Sequence, residues 1–168
     1  MLNLRLVAIA AMAAFLVVPA AAQSATPIDQ FRDWAAFKAE TENGPVCYVL
    51  TQPQSMEPQG VRRGDVFFYV TSRPSEDVHN EVSVITGYPY REGSQATVEI
   101  GSERFSLATR DDGAWIENVA EEERLIEAMR GGSTMMVRGT SQRGTDTTDR
   151  YSLMGISAAL DRIAEECG

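Results

Sequence analysis

Residues 81–100 read EVSVITGYPYREGSQATVEI, and this stretch decides the fold class. Two segments of alternating apolar or β-branched residues flank a turn, with Val82, Val84 and Thr86 before it and Ala96, Val98 and Ile100 after it. Side chains at every second position lie on one face of a β-strand, so this alternation is typical of strands with one face buried. Gly87, Pro89 and Gly93 interrupt the pattern between the two segments. We therefore predict two half-buried strands connected by a turn.

Similar segments recur along most of the chain. They cover residues 34–40, 47–52, 66–71, 105–107, 114–116, 134–139 and 149–153. Asn43 and Gly44 separate the first two, and Asn-Gly between strand segments predicts a hairpin. Residues 53–64 and 140–148 are polar and rich in turn-forming residues, which favours loops. The prediction is a mainly β protein, a repeated hairpin meander that forms an antiparallel β-sandwich-like single domain with one or two short helices.

Two segments have the pattern of helices instead. Asn118 can cap the first helix, with Glu121 three residues later, and Gly131 suits the left-handed conformation that often ends a helix. The second helix is predicted to begin at Ser157. The apolar faces expected to be buried are Leu125, Ile126 and Met129 in the first helix and Leu160, Ile163, Ala164 and Cys167 in the second. Both helices are therefore expected to pack one face on the sheet.

The N-terminal 22 residues have the pattern of a secretory signal peptide. Arg5 precedes the apolar residues 6–18, and residues 19–22 read PAAA, which predicts cleavage after Ala22. The apolar segment is too short to span a bilayer, and no later segment approaches the ~20 apolar residues that a membrane helix requires. We expect an exported protein without an integral membrane segment, located in the periplasm, secreted or associated with the outer surface. Residues 23–33 are interpreted as an N-terminal extension and residues 34–168 as the domain.

The charge balance argues against nucleic acid as a partner. The chain carries 24 acidic and 15 basic side chains, for a formal charge of −9, and cleavage would remove Arg5 and leave −10. Such a surplus repels phosphate backbones and anionic lipids. Removing 22 of the 168 residues leaves 146, the usual size of a single domain.

The predicted export signal decides how the two cysteines, Cys47 and Cys167, are interpreted. In an oxidising compartment two thiols usually form one disulfide, which here would close a loop of about 120 residues and tie the C-terminus to an early strand. The alternative is two free thiols. The chain contains no CxxC motif, which argues against a thiol-disulfide oxidoreductase.

Few residues are available for catalysis. His79 is the only histidine, and neither GxSxG nor SxxK occurs. A Ser-His-Asp hydrolase would have to use His79, and we keep this as a third hypothesis. The prediction is no catalytic residues and a protein that is not an enzyme.

A metal site at residues 77–81 is a more specific functional interpretation of His79 than catalysis. Asp77, His79 and Glu81 stand at every second position and would share one face of an extended segment. One histidine and two carboxylates make a weak site without a further ligand. We favour a solvated, charged segment leading into the strand at residues 82–86, and we predict no metal and no cofactor.

Two short motifs have both a functional and a structural interpretation. Arg63-Gly64-Asp65 spells an integrin-binding tripeptide, but it also has the composition of a turn before an apolar strand. Residues 145–149 offer hydroxyls and two carboxylates that could contact Ca²⁺, yet they lack the EF-hand spacing and are more simply a hairpin loop.

Tyr88, Tyr90 and Arg91 are the candidate residues for binding a partner. The alternating residues of the flanking strands already supply core side chains, so the two aromatic rings are expected to be exposed. Exposed tyrosine and arginine concentrate binding energy at protein interfaces. The alternative is that the rings cover the edge of the core.

Four runs of sequence carry a resemblance to a known family. They are GVRRGDVF at residues 60–67, NEVSVITGYP at 80–89, GTSQRGT at 139–145, and YSLMG at 151–155, followed by Ala159, Leu160 and Cys167. Together they resemble the invasion-associated locus B family of exported Gram-negative bacterial proteins, over residues 34–167. The resemblance implies a compact, sandwich-like β domain in the periplasm or at the cell surface, with no established enzymatic activity and no catalytic set.

Two functions follow as expectations. The first is a non-enzymatic interaction protein, linked to the envelope or to a host, that presents loops on a disulfide-locked β scaffold to an unknown protein or envelope component. The alternative is a periplasmic carrier of a small ligand or metal, with its site in a cleft between the sheet and a helix. The oligomeric state cannot be predicted from the sequence.

Overall fold

The computed structural model describes residues 25–167, and the predicted signal peptide lies outside them. Within these residues the strands are β1 (Thr26–Phe31), β2 (Trp34–Thr41), β3 (Gly44–Thr51), β4 (Ser55–Glu57), β5 (Phe67–Arg73), β6 (Val78–Ile85), β7 (Gln95–Ile100), β8 (Glu103–Arg110), β9 (Gly113–Trp115), β10 (Thr134–Thr140) and β11 (Asp146–Ser152). The helices are α1 (Val119–Gly131) and α2 (Ile156–Cys167).

The strands form one antiparallel sheet that folds over on itself. Their order is β1-β2-β3-β5-β6-β9-β8-β7-β10-β11-β4. Strands near opposite ends of this order nevertheless face each other. The indole Nε1 of Trp34 in β2 donates to the carbonyl of Ser152 in β11 at 3.0 Å, and the rings of Phe68 in β5 and Tyr151 in β11 lie 5.8 Å apart. The predicted antiparallel, sandwich-like β fold is therefore confirmed.

The two strands of residues 81–100 are confirmed, but they are not neighbours in the sheet. Val84 in β6 and Val98 in β7 are fully buried, as their alternation predicts. β9 and β8 lie between these strands, so the predicted hairpin meander is wrong at this point. The backbone N–H of Tyr90 donates to the carbonyl of Asp111 at 2.7 Å. The connecting turn therefore crosses the β8–β9 hairpin instead of closing a hairpin of its own.

Two strands lie where the sequence predicts none. β1 lies in the segment interpreted as an extension and pairs with β2, so the sheet begins before Trp34. β4 lies in the predicted loop at residues 53–64 and pairs with β11. Both occupy an edge of the sheet, and most of their side chains are exposed. An exposed edge strand carries no apolar alternation by which a sequence could reveal it.

The start of α1 is predicted correctly and its end is not. The side-chain oxygen of Asn118 accepts from the backbone N–H of Glu121 at 3.1 Å, as a capping residue should. Gly131 is the last helical residue, and Gly132 after it has extended backbone with φ −90° instead of a left-handed conformation. Glycine is required at 132 for another reason, because a Cβ there would lie 2.6 Å from Cγ2 of Ile100.

α2 begins one residue earlier than predicted, and its buried face lies nearer its N-terminus than predicted, although Leu160 and Ile163 belong to it as expected. Its buried residues are Ile156, Ala159, Leu160 and Ile163. These positions follow the offsets of three, four and seven that place side chains on one helical face. Ala164 is exposed, contrary to the prediction. Neither helix of the described residues combines the length and apolarity needed to cross a bilayer.

The disulfide between Cys47 and Cys167 is confirmed. α2 packs against β1, β2, β3 and β5, which brings its last residue to Cys47 in the buried face of β3. The two Cα atoms lie 6.0 Å apart and the bond spans 120 residues of sequence. The bridge therefore fixes the C-terminal helix on the early strands.

The outer face of β2, β3 and β5 carries a cluster of half-buried aromatic rings. The rings of Phe37 and Tyr48 stack at 5.3 Å, Tyr48 and Tyr69 lie 6.1 Å apart, and Phe67 and Tyr69 lie 5.8 Å apart. The first two pairs are cross-strand pairs, each of which contributes ~0.2–1 kcal/mol to a sheet, whereas Phe67 and Tyr69 are neighbours on one face of β5. The cross-strand pairs help fix the register of the three strands from the side that neither helix covers.

Replacing Cys167 by Ser should lower the free energy of unfolding by about 2–5 kcal/mol, because a disulfide over so long a loop restricts the unfolded chain strongly. Urea unfolding of oxidised wild type, reduced wild type and the variant measures this. The reduced wild type is the matched control and should unfold near the variant. Equal stability of oxidised wild type and Cys167→Ser would contradict the role assigned to the bridge.

Candidate functional site

Three loops meet at one end of the sandwich and enclose a cavity of about 390 Å³. Its wall consists of residues 61–63 before β5, residues 87–89 after β6, and residues 141–143 and 145 in the β10–β11 loop, with Thr147 of β11 behind them. The volume lies within the range of small-molecule sites, ~300–1,000 Å³. The runs GVRRGDVF, NEVSVITGYP and GTSQRGT, far apart in sequence, each supply one of these loops.

A buried ion pair forms the back of the cavity. Both terminal nitrogens of Arg63 donate to the carboxylate of Asp149, at 2.6 and 2.5 Å. The Arg63 side chain is 6% exposed and that of Asp149 is 1% exposed. Nε and Nη2 of Arg63 also donate to the carbonyl of Thr86, each at 3.1 Å. Arg63 thus joins the loop before β5 to the end of β6 and to β11.

The surroundings of Arg63 keep it charged. Burial by itself lowers its pKa, but the hydrogen bonds and the negative charge of Asp149 outweigh burial, so the pKa lies above the ordinary value. A paired, hydrogen-bonded charge is the form in which a charged group is tolerated in an interior. The integrin-binding interpretation of Arg63-Gly64-Asp65 is therefore wrong, because the arginine that it requires at the surface is buried.

Tyr88 lies against this ion pair. Its ring centroid is 5.0 Å from the Arg63 guanidinium carbon, the geometry of a cation–π contact. Its hydroxyl shares a hydrogen bond of 2.6 Å with the hydroxyl of Thr147, in which either atom can donate, and the Thr147 hydroxyl also lies 3.3 Å from the carbonyl oxygen of Gly139. Burial raises the pKa of Tyr88 despite the opposing effects of Thr147 and Arg63.

Tyr90 lies deeper, and its position overturns the expectation of exposed rings. Tyr88 is 8% exposed and Tyr90 is 5% exposed, and their rings meet edge to face at 5.4 Å. Glycine at 139 makes room for them, since a Cβ there would lie 2.5 Å from the Tyr90 ring. Burial raises the pKa of Tyr90, whose hydroxyl, like that of Tyr151, has no partner among the described residues. Of the predicted binding residues, only Arg91 is exposed.

Main-chain hydrogen bonds hold the turn to the β10–β11 loop. Gln142 N–H donates to the carbonyl of Pro89 at 2.8 Å, and Arg91 N–H donates to that of Thr140 at 2.9 Å. Gly87 has φ +69°, and a Cβ there would lie 2.5 Å from the carbonyl oxygen of Gly64. Glycine at 87 therefore allows loop 87–89 to contact the end of loop 61–63. This contact and the main-chain hydrogen bonds fix the position of the cavity walls.

The cavity wall carries positive charge, whereas the chain as a whole is negatively charged. Arg62, Arg63 and Arg143 are among the described residues that line it, and none of those residues is acidic. The Arg91 guanidinium lies beside the β10–β11 loop, 3.4 Å from where a Cβ on Gly144 would be, next to Arg143 and Thr145 of the wall. A chain of formal charge −9 therefore concentrates positive charge at this one cavity.

A larger and more open groove of about 970 Å³ lies between α1 and the β7–β8 turn, where the sequence suggested a carrier cleft. Its charged lining consists of Glu103, Glu123, Arg124 and Glu127. Arg124 already pairs with Glu103 at 3.5 Å and with Glu121 at 2.7 Å. We regard the smaller cavity as the better candidate, because it is enclosed and its arginines are unpaired apart from Arg63.

The segment at residues 77–81 does not assemble as a metal site. His79 Nε2 lies 3.6 Å from a fully exposed Asp77 carboxylate, while Glu81 pairs with Arg73 at 2.7 Å. The residues 145–149 are likewise dispersed, since Asp149 faces inward to Arg63 and Asp146 is exposed and accepts from Thr140. The sequence reasoning missed Arg62, Arg143 and the partner of Arg63, although it had singled out the three runs in which the arginines lie.

Replacing Tyr90 by Ala should lower the free energy of unfolding by about 3–5 kcal/mol, the usual effect of emptying a buried aromatic site. Arg91→Ala is the matched control from the same turn, and because Arg91 is exposed its change should stay within about 0.5 kcal/mol. Urea denaturation measures both. A loss below about 1 kcal/mol for Tyr90→Ala would contradict the burial of the ring.

Comparison with known proteins agrees with the resemblance in the sequence. No curated protein and no solved structure matches the chain significantly. A family model, described as invasion associated locus B (IalB) protein, matches residues 34–164. This range includes all three cavity loops and Cys47, whereas Cys167 lies just beyond it. Since the match covers most of the chain, the protein belongs to the invasion associated locus B family.

Proposed function

We propose that the protein is an exported, non-enzymatic binding protein of the bacterial envelope, located in the periplasm or at the cell surface. Three observations support export: the signal-peptide pattern of residues 1–22, the family, and the disulfide between Cys47 and Cys167. Disulfides persist in oxidising compartments and are rare in the cytosol. The family description adds interaction with a host to this proposal.

The observation that carries the binding role is the convergence of three distant sequence runs on one cavity. Loops 61–63 and 87–89 flank the neighbouring strands β5 and β6, loop 141–145 joins β10 and β11 much further along the sheet, and the three are joined by the Arg63–Asp149 pair and by main-chain hydrogen bonds. Loops on a rigid scaffold commonly carry function. The described residues that line the cavity include Ser141, Thr145 and Thr147, but no histidine, cysteine, lysine or acidic side chain to activate a hydroxyl.

A small-ligand carrier remains the second candidate, and the cavity itself favours it. At about 390 Å³ the cavity could enclose a small molecule instead of receiving part of a partner. Native mass spectrometry of protein purified gently from the envelope distinguishes the two functions. A carrier should retain the mass of a small ligand, whereas an interaction protein should not.

Filling the cavity should abolish partner capture. Gln142 is exposed and lines the cavity, so Gln142→Trp should block it without removing an arginine or a core side chain. Val119→Trp, at a 71% exposed position on α1, is the matched control. In crosslinking pull-downs from envelope extract, wild type and Val119→Trp should retain a partner that Gln142→Trp loses.

Equal capture by all three proteins would contradict the placement of the binding site. Turnover of a substrate by wild type in a broad hydrolase screen, lost in Gln142→Trp, would contradict the non-enzymatic role. Thermal unfolding of each variant verifies that the tryptophan leaves the fold intact.

A further inference from the structure

We infer that the cavity binds an oxyanion, a single carboxylate or phosphate group carried by the partner or ligand. This inference rests on the proposed function, because it names the chemistry that the same cavity would recognise. It commits to one acidic group and not to a polyanion, since the surrounding acidic surface would repel a long chain of charges.

The first argument is the distribution of paired and unpaired arginines. Among the described residues, the arginines in ion pairs are Arg63, Arg73, Arg104, Arg124, Arg130, Arg138 and Arg162. Arg32, Arg62, Arg91, Arg110, Arg143 and Arg150 make no such pair there, and Arg110 lies over the ring of Trp115 instead, although acidic side chains outnumber basic ones by 24 to 15. Two of these unpaired arginines, Arg62 and Arg143, lie together in the wall of one cavity, and such a pair in a chain with that surplus leaves a place for an anion from outside.

The second argument is the geometry of the cavity wall. Arg63 offers little to a ligand, because four of its five N–H donors are taken by Asp149 and the carbonyl of Thr86 and its side chain is only 6% exposed. Arg62 and Arg143 line the wall from different loops, and Arg91 lies beside Gly144 in the loop that carries Arg143. Guanidinium groups present paired N–H donors that match the two oxygens of a carboxylate or phosphate. The hydroxyl of Thr145, also on the wall, adds a neutral donor.

The third argument is that the cavity wall suits an anion better than a cation or an apolar ligand. The described residues of the wall contain no acidic, histidine or cysteine side chain, so a cation would have no anionic ligand there. A purely apolar ligand would leave the arginines without partners when it excluded water from them. An anion satisfies the donors and gains from the reduced dielectric of the enclosed space.

Binding of inorganic phosphate and of acetate tests the inference directly. Each is titrated into the mature protein at constant ionic strength, and amide shifts are followed by NMR, with acetamide as the uncharged control. One of the two anions should bind saturably and shift residues at 87–89 and 141–145. Preference for phosphate or for acetate identifies which acidic group the cavity takes.

Charge-removing variants complete the test. Arg143→Gln combined with Arg62→Gln should weaken anion binding about tenfold or more, since hydrogen bonds to charged groups are among the strong ones. Arg150→Gln, at an exposed position in β11 outside the cavity wall, is the matched control and should bind as wild type does.

The inference is overturned if neither anion binds saturably, or if Arg150→Gln weakens binding as much as the double variant. Its failure is distinguishable from failure of the proposed function. If neither anion binds but Gln142→Trp still abolishes capture, the cavity is a binding site of other chemistry. If capture is also unaffected, both proposals fail.

Discussion

The ion pair between Arg63 and Asp149 is the interaction on which the arrangement of the loops depends. Taking both charges out of water is costly, and their hydrogen bonds to each other and to the carbonyl of Thr86, with the cation–π contact to Tyr88, offset that cost. The loop before β5, the end of β6 and β11 must therefore be in place together. A sandwich in which any of these is displaced leaves a charge buried without its partner, and such states are strongly disfavoured.

The cavity end of the molecule carries two kinds of arginine, one paired within the fold and two without an ion-pair partner among the described residues. Arg63 is neutralised within the fold and supports the ring of Tyr88 from behind, whereas Arg62 and Arg143 project from neighbouring loops and remain unpaired. The disulfide lies elsewhere, at the contact between α2 and β3, and stabilises the scaffold without touching the cavity. Scaffold and site thus depend on different interactions, and this separation allows variants at the rim that leave the fold intact.

The sequence could predict those features of the fold that depend on residues close together in the chain. The alternation around Val84 and Val98 marks buried strands, and Asn118 marks a helix start, because these signals depend on near neighbours. The pairing of β6 with β9 and the partner of Arg63 depend on residues distant in the chain, which one sequence does not specify, whereas the edge strand β1 pairs with the adjacent β2 and is hidden because most of its side chains are exposed. Tyr88 and Tyr90 were misjudged for the same reason, because the space that they fill is created by Gly139 in another hairpin.

The most direct test of this account is a double-mutant cycle on the buried pair, with Arg63→Met, Asp149→Leu and the combined variant compared by urea unfolding. Each single change should cost about 3–5 kcal/mol, because it leaves the other charge buried and unpaired. The combined variant should lose less than the sum of the single changes by at least about 2 kcal/mol. Losses that add within about 0.5 kcal/mol would show that the two residues act independently and would contradict the central claim.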